Sequence, residues 1–264
     1  MLKIESINKG FNKRTVNETS IFNNFSLEIN KGDFITIVGS NGAGKSTLLN
    51  IISGDMKLDS GKIILEGKDI TNIKDHKRSK FISRVFQDPT KGTSPSMTIL
   101  ENLSLADNKG SRFGLSLGVN KKKIEEYKIQ LSILNLGLED KLNTKVGMLS
   151  GGQRQALSLL MATFNTPKIL LLDEHTAALD PKTSETIINL TNTIVKEKSI
   201  TAIMITHNLT HAIKFGNRLV MMHRGEAILD IGELEKKNLT KENLVEEFNK
   251  ITFKEELSDR VIFA

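Results

Sequence analysis

The stretch Gly39-Ser40-Asn41-Gly42-Ala43-Gly44-Lys45-Ser46-Thr47 constrains this chain more than any other. Gly39, Gly44, Lys45 and Ser46 fill the fixed places of G-x-x-x-x-G-K-[ST]. Ahead of it, Phe34-Ile35-Thr36-Ile37-Val38 predicts a β-branched strand. Behind it, Leu48, Leu49, Ile51 and Ile52 recur at helical spacing until Gly54 stops the helix. Strand, glycine loop, helix is the order that makes such a motif a phosphate cradle. The glycines let several backbone N–H groups point at one anion, and the helix N-terminus adds its positive end. Lys45 can then reach β- and γ-phosphates, and the Ser46 hydroxyl can ligate Mg²⁺. The chain is expected to hold a nucleotide.

A chain of 264 residues accommodates one large α/β domain, or such a domain with a lobe inserted, and 38% hydrophobic with 26% charged residues is ordinary for a globular protein. No run of eighteen apolar residues occurs, so no membrane-spanning helix is expected. Met1-Leu2-Lys3-Ile4-Glu5 lacks the apolar core of a signal peptide, and the absence of cysteine excludes disulfides and thiolate metal sites. The formal charge of +6 is spread along the chain, its tightest group being Lys121-Lys122-Lys123. On charge alone, nucleic acid and the inner membrane surface stand level. No nucleic-acid-reading module accompanies the charge, so a nucleic-acid partner is not expected.

Short alternating stretches (Leu2/Ile4, then Phe25/Leu27/Ile29) predict antiparallel strands before the phosphate loop, and Ile63-Ile64-Leu65, Glu66-Gly67-Lys68 and Ile70 predict a hairpin on the same sheet. Residues 90–120 read as loop-rich, with glycines at 92, 110, 114 and 118. Ile124, Tyr127, Leu131 and Leu134 then predict a helix, the start of an inserted helical lobe. Lys168–Glu174 reads as a strand buried on both faces, Asp180-Pro181 as a helix start, and Ile200–Ile205 and Leu219–Met222 as further strands. A tail helix carrying Leu244, Val245, Phe248 and Ile251 is expected to pack on the domain.

With a nucleotide site granted, Asp173-Glu174 acquires a role. An acid at the C-terminal end of a parallel strand can hold Mg²⁺, usually through water, and its neighbour Glu174 can accept a proton from an attacking water. Leu149-Ser150-Gly151-Gly152-Gln153 reads as a second helix start. Its two glycines show no packing purpose in the sequence and suit close approach to an anion. As local sequence alone it is equally a Ser N-cap with a flexible entry.

These motifs, with Val85-Phe86-Gln87-Asp88-Pro89, Ala178-Leu179-Asp180 and Thr206-His207 in the same order, make the chain resemble the nucleotide-binding subunit of an ATP-binding cassette (ABC) transporter over nearly its whole length. The resemblance implies a P-loop NTPase core with a parallel sheet, an antiparallel β subdomain and an inserted α-helical subdomain. The core would span 1–87 and 161–238, the helical subdomain 88–160 and a helical tail 239–264. It implies ATP and Mg²⁺ as ligands, and a head-to-tail homodimer in which Ser150, Gly151, Gly152 and Gln153 bind the γ-phosphate held by the other copy. Gln87 would contact Mg²⁺ and the lytic water and respond to the membrane subunit, His207 would contact the γ-phosphate, and Asp180 would join the two sites. Phe11 sits where the family places an aromatic on adenine, though a lone Phe serves equally as core.

Relatives commonly carry Pro after the acidic pair, where this chain has His175. Its ring either shifts the neighbouring base or is a tolerated backbone variant. The detailed wording resembles ATPases that partner branched-chain-amino-acid-type permeases together with an extracytoplasmic solute-binding protein. An amino-acid-type importer on the cytoplasmic face of the membrane is therefore expected, with separate transmembrane permease subunits. The alternatives are an exporter's ATPase, a soluble family member acting on nucleic acid, or a phosphotransferase kinase.

Overall fold

In the computed structural model the first two strands, β1 (Leu2–Phe11) and β2 (Thr19–Ile29), pair antiparallel with Leu2 opposite Ile29 and Ile4 opposite Leu27. The structure describes residues 1–13, 15–109, 118–119 and 121–250. Alternation puts Leu2, Ile4, Phe25, Leu27 and Ile29 on one buried face. After β3 (Phe34–Gly39) and helix α1 (Lys45–Ser53), β4 (Ser60–Leu65) and β5 (Lys68–Asp69) complete a four-stranded sheet in the order β2-β1-β4-β5. Its apolar face shares one core with Ile35 and Ile37 of β3 and with Leu48, Leu49, Ile51 and Ile52 of α1.

The second sheet carries the phosphate loop. Helix α2 (Asp75–Arg78) leads to β6 (Ile82–Val85). Further along come α3 (Ile99–Asp107), α4 (Ile124–Ser132), α5 (Gly151–Thr163), β7 (Ile169–Asp173), α6 (Pro181–Glu197) and β8 (Thr201–Ile205). Helix α7 (Leu209–Lys214), β9 (Arg218–His223), β10 (Glu226–Ile231) and α8 (Glu233–Lys236) follow. Strand order is β10-β9-β3-β8-β7-β6, parallel except for β10, which runs antiparallel to β9. Ile169, Leu170, Leu171 and Leu172 of β7 are fully buried, so both faces of that strand are covered. Burial of each such side chain contributes roughly 2 kcal/mol. The edge strands β6 and β10 were not anticipated. β6 is four residues long with Ser83 and Arg84 inside it, too short and too polar to show a period.

Between β6 and β7 along the chain, α3, α4 and α5 build a core of their own from Ile99, Leu103, Tyr127, Leu131, Leu157 and Leu160, joined by Ile187 of α6. The expectation of a loop-rich 90–120 is corrected here by α3. Thr98 caps it by accepting from the Glu101 N–H while the Glu101 carboxylate accepts from the Thr98 N–H, a reciprocal cap that the pattern Thr-x-x-Glu announces. Gly110 and Gly114 of that stretch lie outside the described residues, as does Ile251 of the tail. The tail is helical over 241–250. It buries Leu244 against Val38, Ala212, Leu219 and Met221, with Phe248 packed alongside, whereas Val245 faces solvent.

Candidate functional site

The phosphate loop runs from β3 to α1 along the path its sequence dictates. A side chain at Gly39 would place its Cβ 2.1 Å from the Met222 carbonyl oxygen of β9, so only glycine lets the two strands approach. Gly44 takes the left-handed N-cap position (φ 95°) and brings no side-chain bond to the helix start. Lys45 folds back, its Nζ donating to the carbonyls of Gly39 and Ser40, both at 2.8 Å. Burial lowers its pKa, while the Glu174 carboxylate pulls the other way. Ser46 is exposed at the mouth and Thr47 half-buried behind it. The Gly225 N–H donates to the Ala43 carbonyl, and Ser40 Oγ meets His223 Nδ1 at 3.2 Å, so the β9–β10 turn buttresses the loop. At the far end of α1, the buried Arg78 guanidinium donates to the carbonyls of Ile51 and Ile52, which fixes the helix from behind.

The acidic pair ends β7. Asp173 Oδ2 accepts from Arg84 Nη2 at 2.5 Å. Glu174 lies in the left-handed region (φ 46°), which costs a non-glycine residue about 1–2 kcal/mol and turns its carboxylate out of the strand direction. There Glu174 Oε1 meets His207 Nε2 at 2.7 Å, a histidine delivered by the loop after β8. The structure thus brings together Lys45, Asp173, Glu174 and His207, which the sequence places far apart. Gln87 follows β6, and it lines one cleft with Asn50, Arg84, Phe86 and Asp173. Gln155 of α5 donates to the Phe86 carbonyl and so ties that loop to the helical cluster.

His175 does not act on Glu174 in this structure. Its ring is buried, with Nε2 3.0 Å from Thr191 Oγ1 of α6, and burial, aided by nearby His211, drags its pKa down to about 3. It is a neutral interior side chain beneath the site. Of the two glycines that open α5, Gly152 has a packing purpose that the sequence does not show. A Cβ on Gly152 would stand 2.3 Å from Thr183 Cγ2, so this glycine lets α5 and α6 pack. Ser150 and Gln153 form a reciprocal cap on α5, and Gln153 also donates to the Leu136 carbonyl. Asp180 caps α6 by accepting from the Thr183 N–H, and its hydrogen bonds to Thr183 lower its pKa. Phe11 closes β1, half-buried, with Lys9 Nζ 5.5 Å from its ring centre. Sequence reasoning missed Arg84, Asn50, Gln155 and His223, whose partners are remote in the chain.

The donor set suits Mg²⁺. Ser46, Gln87 and Asp173 offer hard oxygen ligands. Among the described residues no three His, Cys, Asp or Glu side chains cluster to hold an ion.

Fold and site define an ATP-hydrolysing phosphate-loop protein that uses Mg²⁺. The ABC transporter family model matches residues 22–177, and the chain belongs to that family, as an ATP-binding subunit. It is 52% identical, over 94% of its length and 98% of the relative's, to a Tyrosine transport ATP-binding protein of Clostridioides difficile (strain R20291). Spermidine/putrescine import ATP-binding protein PotA of Haemophilus influenzae (strain ATCC 51907 / DSM 11121 / KW20 / Rd) is 36% identical over 87% of this chain and 57% of its own. A dimeric ATP-binding cassette solved in a post-hydrolysis state with ADP and Pi superposes with a TM-score of 0.75 at 31% identity, covering 88% of this chain and 99% of that one. Among the described residues no helix is long and apolar enough to cross a membrane.

Proposed function

We propose that this chain is the motor subunit of an amino-acid importer, working as a head-to-tail homodimer on the cytoplasmic face of the membrane. The observation that carries the catalytic part is the Glu174–His207 pair, 2.7 Å apart at the strand ends beside the phosphate loop. Residues 39–47 bind the triphosphate, with Lys45 exchanging its loop carbonyls for phosphate oxygens, and Phe11 carries the adenine. Ser46, Gln87 and Asp173 hold Mg²⁺, which neutralises phosphate charge. Glu174 takes the proton of the attacking water, and His207 orients that carboxylate and contacts the γ-phosphate. Ser150–Gln153 and Asp180 of a second copy close the site.

The core (1–87 and 161–238), the helical subdomain (88–160) and the tail (239–264) divide this work, the helical part carrying the partner-facing signature. Transmembrane permease subunits and an extracytoplasmic binding protein complete the system. The amino-acid class is supported by the 52% identity to a tyrosine transport ATP-binding protein, and the resemblance to branched-chain-amino-acid systems falls in the same solute class. Replacing Glu174→Gln should slow ATP turnover by about a hundredfold or more and leave an ATP-stabilised dimer visible by size exclusion. Normal turnover, or a monomer in ATP, would sink this reading. Loss of uptake of one labelled amino acid on deletion of the gene identifies the solute.

A further inference from the structure

Arg84 ties the end of the phosphate-loop helix to the end of β7, which lie far apart in sequence. From edge strand β6, its Nη2 donates to Asp173 Oδ2 at 2.5 Å. Its Nη1 donates to Asn50 Oδ1 of the phosphate-loop helix at 2.7 Å and to Asp55 Oδ2 at 3.1 Å. The guanidinium carbon stands 4.8 Å from the centre of the Phe86 ring, immediately before Gln87. The Arg84 side chain is 11% exposed and that of Asp173 15%, so water screens this pair weakly, while Asp55 at 47% is largely solvated. The pairing with Asp173 is therefore the one that matters for charge in the cleft.

We propose that Arg84 is a positioning residue that supplies the counter-charge of Asp173, so that a triphosphate can enter the loop beside this carboxylate even without its metal. Mg²⁺ carries its own compensating charge. Arg84 should therefore matter most to metal-free ATP and least to Mg·ATP, a split that a merely structural residue would not produce. The same guanidinium fixes Asn50 and stacks on Phe86, so the compensated carboxylate is held in register with the phosphate helix and the Gln87 loop. The inference rests on the nucleotide reading above.

The test is equilibrium binding of a fluorescent ATP analogue at fixed ionic strength, in excess EDTA and in excess Mg²⁺. Arg84→Gln should weaken metal-free binding at least about tenfold and change Mg²⁺-loaded binding less than about threefold. Arg84→Lys, which keeps the charge, should hold both values within about threefold of wild type. Arg84→Gln/Asp173→Asn removes both charges and leaves amides able to bond each other, so it should restore metal-free affinity. Should Arg84→Gln by itself fail to fold, Asp173→Asn and the double variant, whose two amides keep the contact, carry the comparison. Its unpaired Arg84 should bind metal-free ATP about tenfold more tightly than the double variant. Equal losses in EDTA and Mg²⁺, or equal affinities of Asp173→Asn and the double variant, would overturn the assignment. A wild-type chain that bound neither form of ATP would instead overturn the nucleotide reading itself.

Discussion

Helices α1 and α5 both carry glycine at their starts, and their first turns are finished in opposite ways. Helix α1 starts at Gly44 with no side-chain bond to its N-terminal N–H groups and no acid in its first turn. Helix α5 starts at Ser150, whose Oγ accepts from the Gln153 N–H while Gln153 Oε1 accepts from the Ser150 N–H, both at 3.2 Å. The first leaves its donors to a phosphate. The second commits its Gln153 N–H to the Ser150 hydroxyl, a cap worth about 1 kcal/mol. On that contrast, one helix start grips nucleotide within a single chain. In the proposed dimer, the other would engage a phosphate only by competing with its own cap.

The hardest blow to the open start is Lys45→Ala, which removes the ammonium now held by the Gly39 and Ser40 carbonyls. Charge-assisted bonds of this kind are worth roughly 1.5–3 kcal/mol each, so ATP affinity should drop about a hundredfold or more, as read by titration calorimetry. Retained affinity would mean that the backbone cradle suffices alone. Gly152→Ala probes why the second start carries glycine. Its Cβ would lie 2.3 Å from Thr183 Cγ2, and denaturant midpoints should report a loss of about 1–3 kcal/mol. Thr183→Ser in the same chain should recover most of it. A loss that persists would assign Gly152 something other than clearance. Smallest is Ser150→Ala, expected to cost about 1 kcal/mol, a fall of roughly 2–4 °C in Tm. In the Glu174→Gln background it should also loosen the ATP-held dimer. If Tm falls but the dimer is untouched, Ser150 is a helix cap and nothing more.

Local rules served well wherever the cause of a structure lay within a few residues. Asp180-Pro181 starts α6 as an N-cap followed by a pre-formed φ, and the four aliphatics before Asp173 form a strand covered on both faces. The same rules reach α3, since Thr98 and Glu101 are its reciprocal cap, although the glycines at 92 and 110 on either side give the stretch the composition of a loop. Strand β6 offered no such clue, because a four-residue edge strand with a serine and an arginine inside it has no readable period. His175 was ambiguous for another reason. Whether a ring after Glu174 turns toward the base or into the core depends on α6, which supplies Thr191 as its partner.

By itself the sequence determined the phosphate loop with its strand and helix, the acidic pair, the second capped helix start and their order along the chain. Glycine spacing, side-chain periodicity and capping chemistry are short-range properties, and they survive in a string of letters. Tertiary structure alone decided that Glu174 meets His207, that Asp173 is compensated by Arg84, and that Gly152 yields room to Thr183. Each of those contacts is made when strands β6, β7 and β8 line up in one sheet or when α5 packs on α6. Charge and volume are matched there between residues that no local pattern connects.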